Sequence, residues 1–183
     1  MSTRLKPNQV RFLDYLDKCQ KDQKRDVLAV LRRGLSIPPA QDVSMYRYVA
    51  GFIPDFERGT DREKIYYLIA SLFAYHQLST ANGDFGAHMK AATEDSSPEA
   101  TERRFTVLLN AHLEEMPDYL RQSVSYLKSK DIAINWPVLF EDLLYWNHPD
   151  RFIQRKWANS YWGYLSQAQG SESDEKNTPE SNS

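Results

Sequence analysis

The chain has 183 residues, 41% of them hydrophobic, which is enough for one compact domain or two small ones. Its formal net charge of −2 excludes binding to nucleic acid through an overall positive charge, so any anion-binding surface must come from local clustering. The single cysteine, Cys19, excludes an internal disulfide and a cysteine-based zinc site, and it favours a reducing compartment.

No apolar run approaches the roughly 18–20 residues that cross a bilayer. The N-terminus lacks the apolar block of a signal peptide. We therefore expect a soluble, cytoplasmic protein with no membrane partner. Residues 167–183 contain one lysine and four acidic residues, so the total of −2 leaves the rest of the chain at about +1.

In the N-terminal half the hydrophobic residues recur at helical spacing. This spacing predicts a helix after Pro7, a second helix from Asp22 to Arg33 that Gly34 ends as its C′ residue, and a short helical turn over 44–50. The residues that we expect to face inward in the first two helices are Val10, Leu13, Leu16, Val27, Leu28 and Leu31.

Thr60 and Glu63 have the spacing of a capping box, in which each side chain satisfies the other residue's free backbone N–H. The helix that follows is the most apolar of the chain, so we place it at the centre of an N-terminal bundle. A loop over 79–84 and a short helix over 85–93 come next. The predicted inward residues of the central helix are Ile65, Leu68, Ile69, Leu72 and Phe73.

The C-terminal half predicts four more helices. Ser97 and Pro98 suit the cap and first residue of one helix, Pro117 begins another, Asn135 caps a third, and the last begins near Pro149. The residues that mark the faces of these helices are Phe105, Leu108, Leu109, His112, Leu120, Val124, Leu127, Val138, Leu139, Leu143, Trp146, Phe152, Ile153, Trp157 and Tyr161.

No stretch alternates in the manner of a strand, so the predicted fold class is all-α. We expect two small helical bundles packed side by side, formed by residues 1–95 and 96–165. Residues 166–183 are rich in polar residues and almost without apolar ones, which predicts a disordered acidic C-terminal tail.

Motifs of catalysis are not found in the sequence. It has no glycine-rich phosphate loop, no G-x-S-x-G elbow and no H-E-x-x-H helix. His112 has an acidic neighbour, Glu115, at helical spacing; a metal site there needs a further ligand, and we favour a helix-end histidine near solvent. We predict a protein that is not an enzyme and has no cofactor or metal. A metal-dependent enzyme centred on this pair stays open as an alternative.

Basic residues cluster on several of the predicted helices. Each cluster also has a structural explanation, as a helix C-terminus or a solvated helix face. Doublets exceed what one helix end requires, and few acids adjoin them, so together they could follow a phosphate backbone. The predicted nucleic-acid-binding residues are Arg32, Arg33, Arg47, Arg103, Arg104, Arg121, Lys128, Lys130, Arg151, Arg155 and Lys156.

Several short motifs, in order along the chain, resemble the CasB family, the small subunit of the type I-E CRISPR Cascade surveillance complex. No single motif is diagnostic, but their order over about residues 10–162 is specific. The motifs are LRRG at 31–34, YRYV at 46–49, YLIASLF at 67–73, NGDFG at 82–86, ERRF at 102–105, LKSK at 127–130, INW at 134–136, LLYW at 143–146 and HPDRFIQRKW at 148–157.

The resemblance implies a non-catalytic subunit that is present in two copies, beside the backbone and large subunits and the guide RNA. It also implies that basic side chains hold the displaced, non-target DNA strand and stabilise the R-loop. Where many relatives carry an arginine before alanine, this chain has Asn110 before Ala111, so one phosphate contact is expected to be absent or moved. The family's basic motifs fall on Arg33, Arg47, Arg103, Arg104, Arg121, Arg151, Arg155 and Lys156.

A second hypothesis is a helical protein-binding adaptor without direct nucleic-acid contact. Aromatic residues often supply the anchors of such interfaces. The candidate anchors are Tyr46, Tyr48, Trp146 and Trp162, each of which could equally be a core residue. A DNA affinity that does not respond to salt would favour this hypothesis.

Overall fold

A computed structural model describes residues 4–38, 40–93 and 98–171, with side chains as far as Gly163. These residues form helices joined by short turns, and their one β-type pairing is an isolated parallel bridge between Ser79 and Ile134. The predicted all-α class is confirmed. The helices are α1 (Pro7–Lys21), α2 (Arg25–Arg33), α3 (Val43–Val49), α4 (Asp61–Tyr75), α5 (Phe85–Ala91), α6 (Pro98–Asn110), α7 (Met116–Ser129), α8 (Trp136–Leu144) and α9 (Phe152–Ser171).

Short polar side chains begin several of these helices, because they can accept from the free N–H groups of the first turn. The Asp84 carboxylate accepts from the backbone N–H of Ala87 at 3.0 Å and opens α5. The predicted cap of α8 is confirmed, since Asn135 Oδ1 accepts from the Val138 N–H at 3.4 Å. The predicted cap Ser97 lies outside the described residues.

The start of α4 uses the predicted capping residues with different partners. Thr60 Oγ1 accepts from the N–H of Arg62 at 3.2 Å, and Glu63 Oε2 accepts from the N–H of Gly59 at 2.5 Å. Each donor lies one residue before the one that a capping box requires. The predicted pairing was therefore wrong, although both side chains do satisfy N–H groups at this end of the helix.

Two predictions about α2 were also wrong. The helix begins at Arg25 and not at Asp22, because Gln23 has a φ of 52° and turns the chain there. Gly34 is right-handed, with a φ of −58°, and starts a one-turn 3₁₀ segment, so it does not act as a left-handed stop. A Cβ at Gly34 would collide with the side chains of Met45 and Ser71, so close packing favours glycine here.

Helix α4 is the centre of the N-terminal half, as predicted. Ten consecutive residues, Ile65–Ala74, are buried, and α4 packs against α1, α2, α3, α7 and α8. On α1 the buried face differs from the prediction, because Val10 is 41% exposed. Glutamine and cysteine complete the face that points to α4. The buried residues of α1 are Gln9, Phe12, Leu16 and Cys19.

Helices from the two halves of the chain meet in one continuous hydrophobic cluster. Helix α8 packs against α4 and α1, and α5 packs against α9 so closely that a Cβ at Gly86 would overlap the backbone carbonyl of Trp157. The division into bundles 1–95 and 96–165 stays a prediction. Among the described residues no helix is long and apolar enough to cross a bilayer.

The start of the last helix departs from the sequence expectation. Helix α9 begins at Phe152 and not near Pro149, directly after Arg151, whose φ is 49°. Its backbone continues to Ser171 and so runs past residue 166, where the predicted disordered tail begins. The remainder of that predicted tail, 172–183, lies outside the described residues.

Candidate nucleic-acid interface

Two predicted cations meet at the C-terminal end of α4. Arg32 Nε donates to the carbonyl oxygen of Ala74 at 3.2 Å, and Lys128 Nζ donates to the next carbonyl, that of Tyr75, at 2.6 Å. Cations are stabilised there because the last carbonyls of a helix carry partial negative charge. The fold thereby brings basic groups of α2 and α7 to one place, although they are far apart in sequence.

Arginines of α6 and α7 line a groove next to this helix end. Arg121 donates to the carbonyl of Leu35 and, at 3.1 Å, to the Asp118 carboxylate. The guanidinium carbon of Arg104 lies 4.5 Å from the ring centre of Tyr126, a cation–π distance. We call this cavity of about 530 Å³ the basic groove; its lining includes Leu35, Tyr75, Arg104, Arg121, Ser125 and Tyr126.

The predicted cations beside the end of α4 have neutral partners, namely carbonyl oxygens or tyrosine rings, and so does Arg47 on α3. Lys128 Nζ also lies 3.9 Å from the ring centre of Tyr75, and on α3 Arg47 lies 4.6 Å from that of Tyr48. Arg121 is the exception, because it has a carboxylate partner as well as a carbonyl. A cation on a neutral partner keeps its net charge, so it still attracts phosphate.

Three cations that the sequence did not single out are partnered differently. Lys21, Arg58 and Lys64 are exposed, and each pairs with an aspartate three or four residues away. The distances to those carboxylates are 2.5, 3.1 and 2.8 Å. Such pairs contribute little to stability, but they cancel the charge locally. These three positions supply matched controls for the predicted set.

Three predicted residues, Arg33, Arg103 and Arg155, are exposed. Within residues 4–38, 40–93 and 98–163 their side chains form no ion pair. On α2, Arg33 directly follows Arg32, and on α6, Arg103 directly precedes Arg104; both neighbours lie in or beside the basic groove. Lys130 is half-buried and directly follows α7.

Comparison with known proteins identifies the family. The model of the family described as CRISPR-associated protein Cse2 matches residues 27–162. A curated CRISPR-associated protein Cse2 of Thermus thermophilus is 31% identical over 156 residues, which are 84% of this chain and 89% of that protein. This chain belongs to the Cse2 family.

Solved structures agree with this assignment. The crystal structure of M. ruber CasB is 30% identical, covers 91% of this chain and 98% of its own, and has a TM-score of 0.72. A chain of a CRISPR RNA-guided surveillance complex has the same fold at 23% identity, with a TM-score of 0.72 over 88% of this chain and 95% of that chain. The CasB resemblance seen in the sequence is confirmed.

The last helix of this Cse2-family chain has basic residues of its own at its start. Arg151 and Lys156 are bound to groups inside the fold more tightly than the cations of the basic groove are. Arg151 donates to the carbonyl of Leu109 at the end of α6. Lys156 Nζ binds both carboxylate oxygens of Asp142, at 2.7 and 2.9 Å, and Trp157 Nε1 donates to the same carboxylate at 2.6 Å. Burial raises the pKa of the Asp142 carboxyl above its ordinary value, while Lys156 and Trp157 favour the charged form. Lys156 therefore has a structural role, and its contact with phosphate stays a prediction.

The adaptor hypothesis loses one of its anchors. Trp146 is 2% exposed, its Nε1 donates to the carbonyl of Ala111 at 3.3 Å, and its ring lies 5.0 Å from that of Trp157. A ring buried in this way is not available to a partner. Tyr46 is exposed, and Tyr48 and Trp162 are half-buried.

His112 lies just beyond the end of α6 and near solvent, as the helix-end interpretation predicts, so it does not extend the face formed by Phe105, Leu108 and Leu109. Its side chain and that of Glu115 are both exposed. In the described part of the chain, no group of three or more histidine, cysteine or acidic side chains could hold a metal ion. The described residues therefore offer His112 and Glu115 no third metal ligand.

Two other histidines are buried and serve the fold. Nε2 of His88 accepts from the backbone N–H of Asn135 at 3.1 Å, at the start of α8. Nε2 of His76 lies 2.7 Å from the carbonyl oxygen of Ile132. Burial lowers the pKa of both imidazoles, because a charged ring is poorly solvated there.

The sequence analysis missed the tyrosines of the basic groove. The hydroxyl of Tyr75 is 3.0 Å from that of Ser125, and the hydroxyl of Tyr126 is 2.7 Å from that of Thr101. One sequence signal could have indicated this lining of the basic groove, because polar residues recur every four positions on α7 next to Tyr126. These residues are Arg121, Ser125 and Ser129.

Proposed function

We propose that this chain is the non-catalytic small subunit of a type I-E CRISPR Cascade surveillance complex. Its basic surface would bind the displaced, non-target DNA strand and thereby stabilise the R-loop. The family and the fold shared with a surveillance-complex chain support the assignment to such a complex. The proposed partners are the backbone and large subunits with their guide RNA, a second copy of this chain, and the displaced strand.

The observation that carries the DNA-binding part is the partner chemistry around the basic groove. Arg32, Arg104 and Lys128 have carbonyl or ring partners, and the exposed Arg33 and Arg103 have no carboxylate partner among the described residues. A phosphate can replace such a neutral partner without separating an ion pair. This arrangement supplies fixed cations to a backbone and needs no base reading.

A small number of contacts is sufficient inside a complex. Replacement of a DNA duplex by a guide–target hybrid is nearly balanced in free energy, so modest binding of the released strand shifts the equilibrium. Each phosphate contact on a single strand contributes roughly −0.7 to the log–log salt slope. With about four to six contacts, we expect a slope of about −3 to −4.

The test reverses charges within the assembled complex. A chain with Arg33→Glu, Arg103→Glu and Arg121→Glu should keep its helical circular dichroism and assemble, yet release target DNA faster. Arg121 also contacts Leu35 and Asp118, so the double variant Arg33→Glu/Arg103→Glu separates charge loss from structural damage. In the double variant the salt slope should fall by roughly 1.4, about 0.7 per lost contact.

The matched control reverses cations that already pair with carboxylates. A chain with Lys21→Glu, Arg58→Glu and Lys64→Glu changes the net charge by the same amount as the triple variant. It should retain DNA as the unmodified complex does. If the predicted triple variant retains DNA equally well in a normally assembled complex, the claim of DNA binding by this surface is wrong.

A further inference from the structure

The basic groove combines cations, aromatic rings and hydroxyl groups in one small space. Its volume of about 530 Å³ is within the range of roughly 300–1,000 Å³ that is usual for small-molecule sites. A DNA duplex is too wide to enter a cavity of this size, since its major groove alone measures roughly 12 Å across. One unpaired nucleotide has a suitable size.

The rings of the basic groove are fixed at their hydroxyl ends. Tyr75 is bonded to Ser125 across α4 and α7, and the Tyr126 hydroxyl donates to the carbonyl of Ala92 at 3.1 Å as well as meeting Thr101. These contacts order the rings before any ligand arrives, which reduces the entropy lost on binding. Half-buried, ordered tyrosines are suitable surfaces for stacking, and every base has a face that can stack.

The cations of the groove are placed on or beside these rings. The guanidinium group of Arg104 lies over Tyr126, and Arg121 lines the same cavity from α7. A base can stack on an arginine plane as well as on a ring, while a neighbouring arginine binds the attached phosphate. The two arginines and two tyrosines together match the two parts of a nucleotide.

We infer that the basic groove holds one unpaired nucleotide of the displaced DNA strand. Its base stacks among Tyr75, Arg104 and Tyr126, and its phosphate displaces the exposed Asp118 carboxylate from Arg121, a surface ion pair that costs little to break. This inference rests on the proposed function, and it adds that the strand is held by a base as well as by phosphates. The binding discriminates single strand from duplex and does not depend on base identity. Arg33 and Arg103 do not line the groove and contact neighbouring phosphates.

The test removes the ring and the bases separately, in the assembled complex. One target carries an ordinary non-target strand, and a second carries abasic nucleotides throughout the displaced segment. On the ordinary strand Tyr75→Leu should speed dissociation about tenfold, from loss of one stacked base. On the abasic strand the same substitution should change the rate less than twofold, because no base is left to stack.

Three variants serve as controls. Tyr75→Phe keeps the ring and loses the hydrogen bond to Ser125, and Ser125→Ala loses that bond from the other side; because the stacking surface stays and only its ordering decreases, both should speed release from the ordinary strand less than Tyr75→Leu does. Tyr46→Leu removes an exposed ring that is not part of the groove and should leave both rates unchanged. These variants separate stacking from the loss of a hydroxyl contact and from the loss of any tyrosine.

Two results would overturn the inference. One is that the Tyr75→Leu complex and the unmodified complex dissociate at the same rate from the target with the ordinary strand. The other is the same acceleration on both strands, which would show that the ring acts through the fold. In either case faster release from the Arg33→Glu/Arg103→Glu variant would leave the proposed function standing. If the displaced strand can be omitted without any change in dissociation, the proposed function itself fails.

Discussion

Two regions of this molecule use lysine and arginine in opposite ways. In the seam between α5, α8 and α9, Lys156 is bound by the buried carboxylate of Asp142. Arg104 in the basic groove and Lys128 beside it lie on tyrosine rings, and Lys128 also meets a backbone carbonyl. The partner of a cation, and not the number of cations nearby, therefore indicates whether its charge is available to a phosphate.

The seam also contains other buried polar groups with partners inside the fold. The Asp84 carboxylate accepts from the Ser160 hydroxyl at 2.7 Å, and His88 accepts from the backbone of Asn135. Removal of one partner from such a site strands a polar group away from water. We therefore expect substitutions in the seam to lower the free energy of unfolding without changing DNA retention. Substitutions in the basic groove should lower DNA retention without changing the free energy of unfolding.

The largest effect is expected from Asp142→Ala. The change leaves Lys156 and the indole N–H of Trp157 without their acceptor; breaking a buried ion pair costs about 3–5 kcal/mol, and the low end applies because Lys156 is 36% exposed. Chemical denaturation should show a loss of about 3 kcal/mol in the free energy of unfolding. The surface pair gives the control: Asp118→Asn beside Arg121 should cost less than about 1 kcal/mol. An equal loss in both variants would remove the distinction between the two regions.

The sequence predicted helices well where the signal is local. The cap at Asn135 and the apolar run of α4 depend on residues within one or two turns of each other, and both predictions are confirmed. The partners of the cations could not be predicted, because they come from distant parts of the chain. Arg32 meets a carbonyl 42 residues away, and Arg121 meets one 86 residues away.

Gly34 shows the same limit at a single position. A glycine after a helix usually adopts a left-handed conformation, so the sequence predicted a stop signal. The conformation is right-handed, and glycine is favoured there because Met45 and Ser71 approach from other elements. Local sequence patterns indicate what a residue allows, whereas tertiary packing determines which of its properties is used.

A smaller effect is expected from Gly86→Ala, which tests how tightly the seam is closed. The added methyl group would overlap the backbone carbonyl of Trp157, and backbone cannot move aside as a side chain can. Overpacking of this kind costs about 1–3 kcal/mol, measurable as a lower free energy of unfolding. Gly51→Ala is the matched control, because a Cβ there meets nothing within 4 Å. If both variants unfold alike, the close contact of α5 with α9 is not as described.

The smallest effect concerns pH and His88. Its Nε2 accepts from the Asn135 N–H, so this nitrogen carries no proton in the folded chain, and burial lowers the pKa of the ring. The unfolded chain, with an ordinary histidine pKa of about 6.5, binds the proton more tightly. Stability is therefore complete above about pH 6.5, decreases as the pH falls below that value by at most about 1.4 kcal/mol per pH unit, and levels off below the lowered pKa of the folded chain.

His88→Gln tests this pH dependence, since an amide oxygen can accept from Asn135 but does not titrate. Between about pH 7 and 5 the variant should lose less unfolding free energy than the unmodified chain. His76 and Asp142 also have shifted pKa values, but they are present in both proteins, so the difference between the two curves isolates His88. Parallel curves would mean that the His88 ring takes up a proton as easily in the folded chain as in the unfolded chain. The seam would then be open to water, and its contrast with the basic groove would be lost.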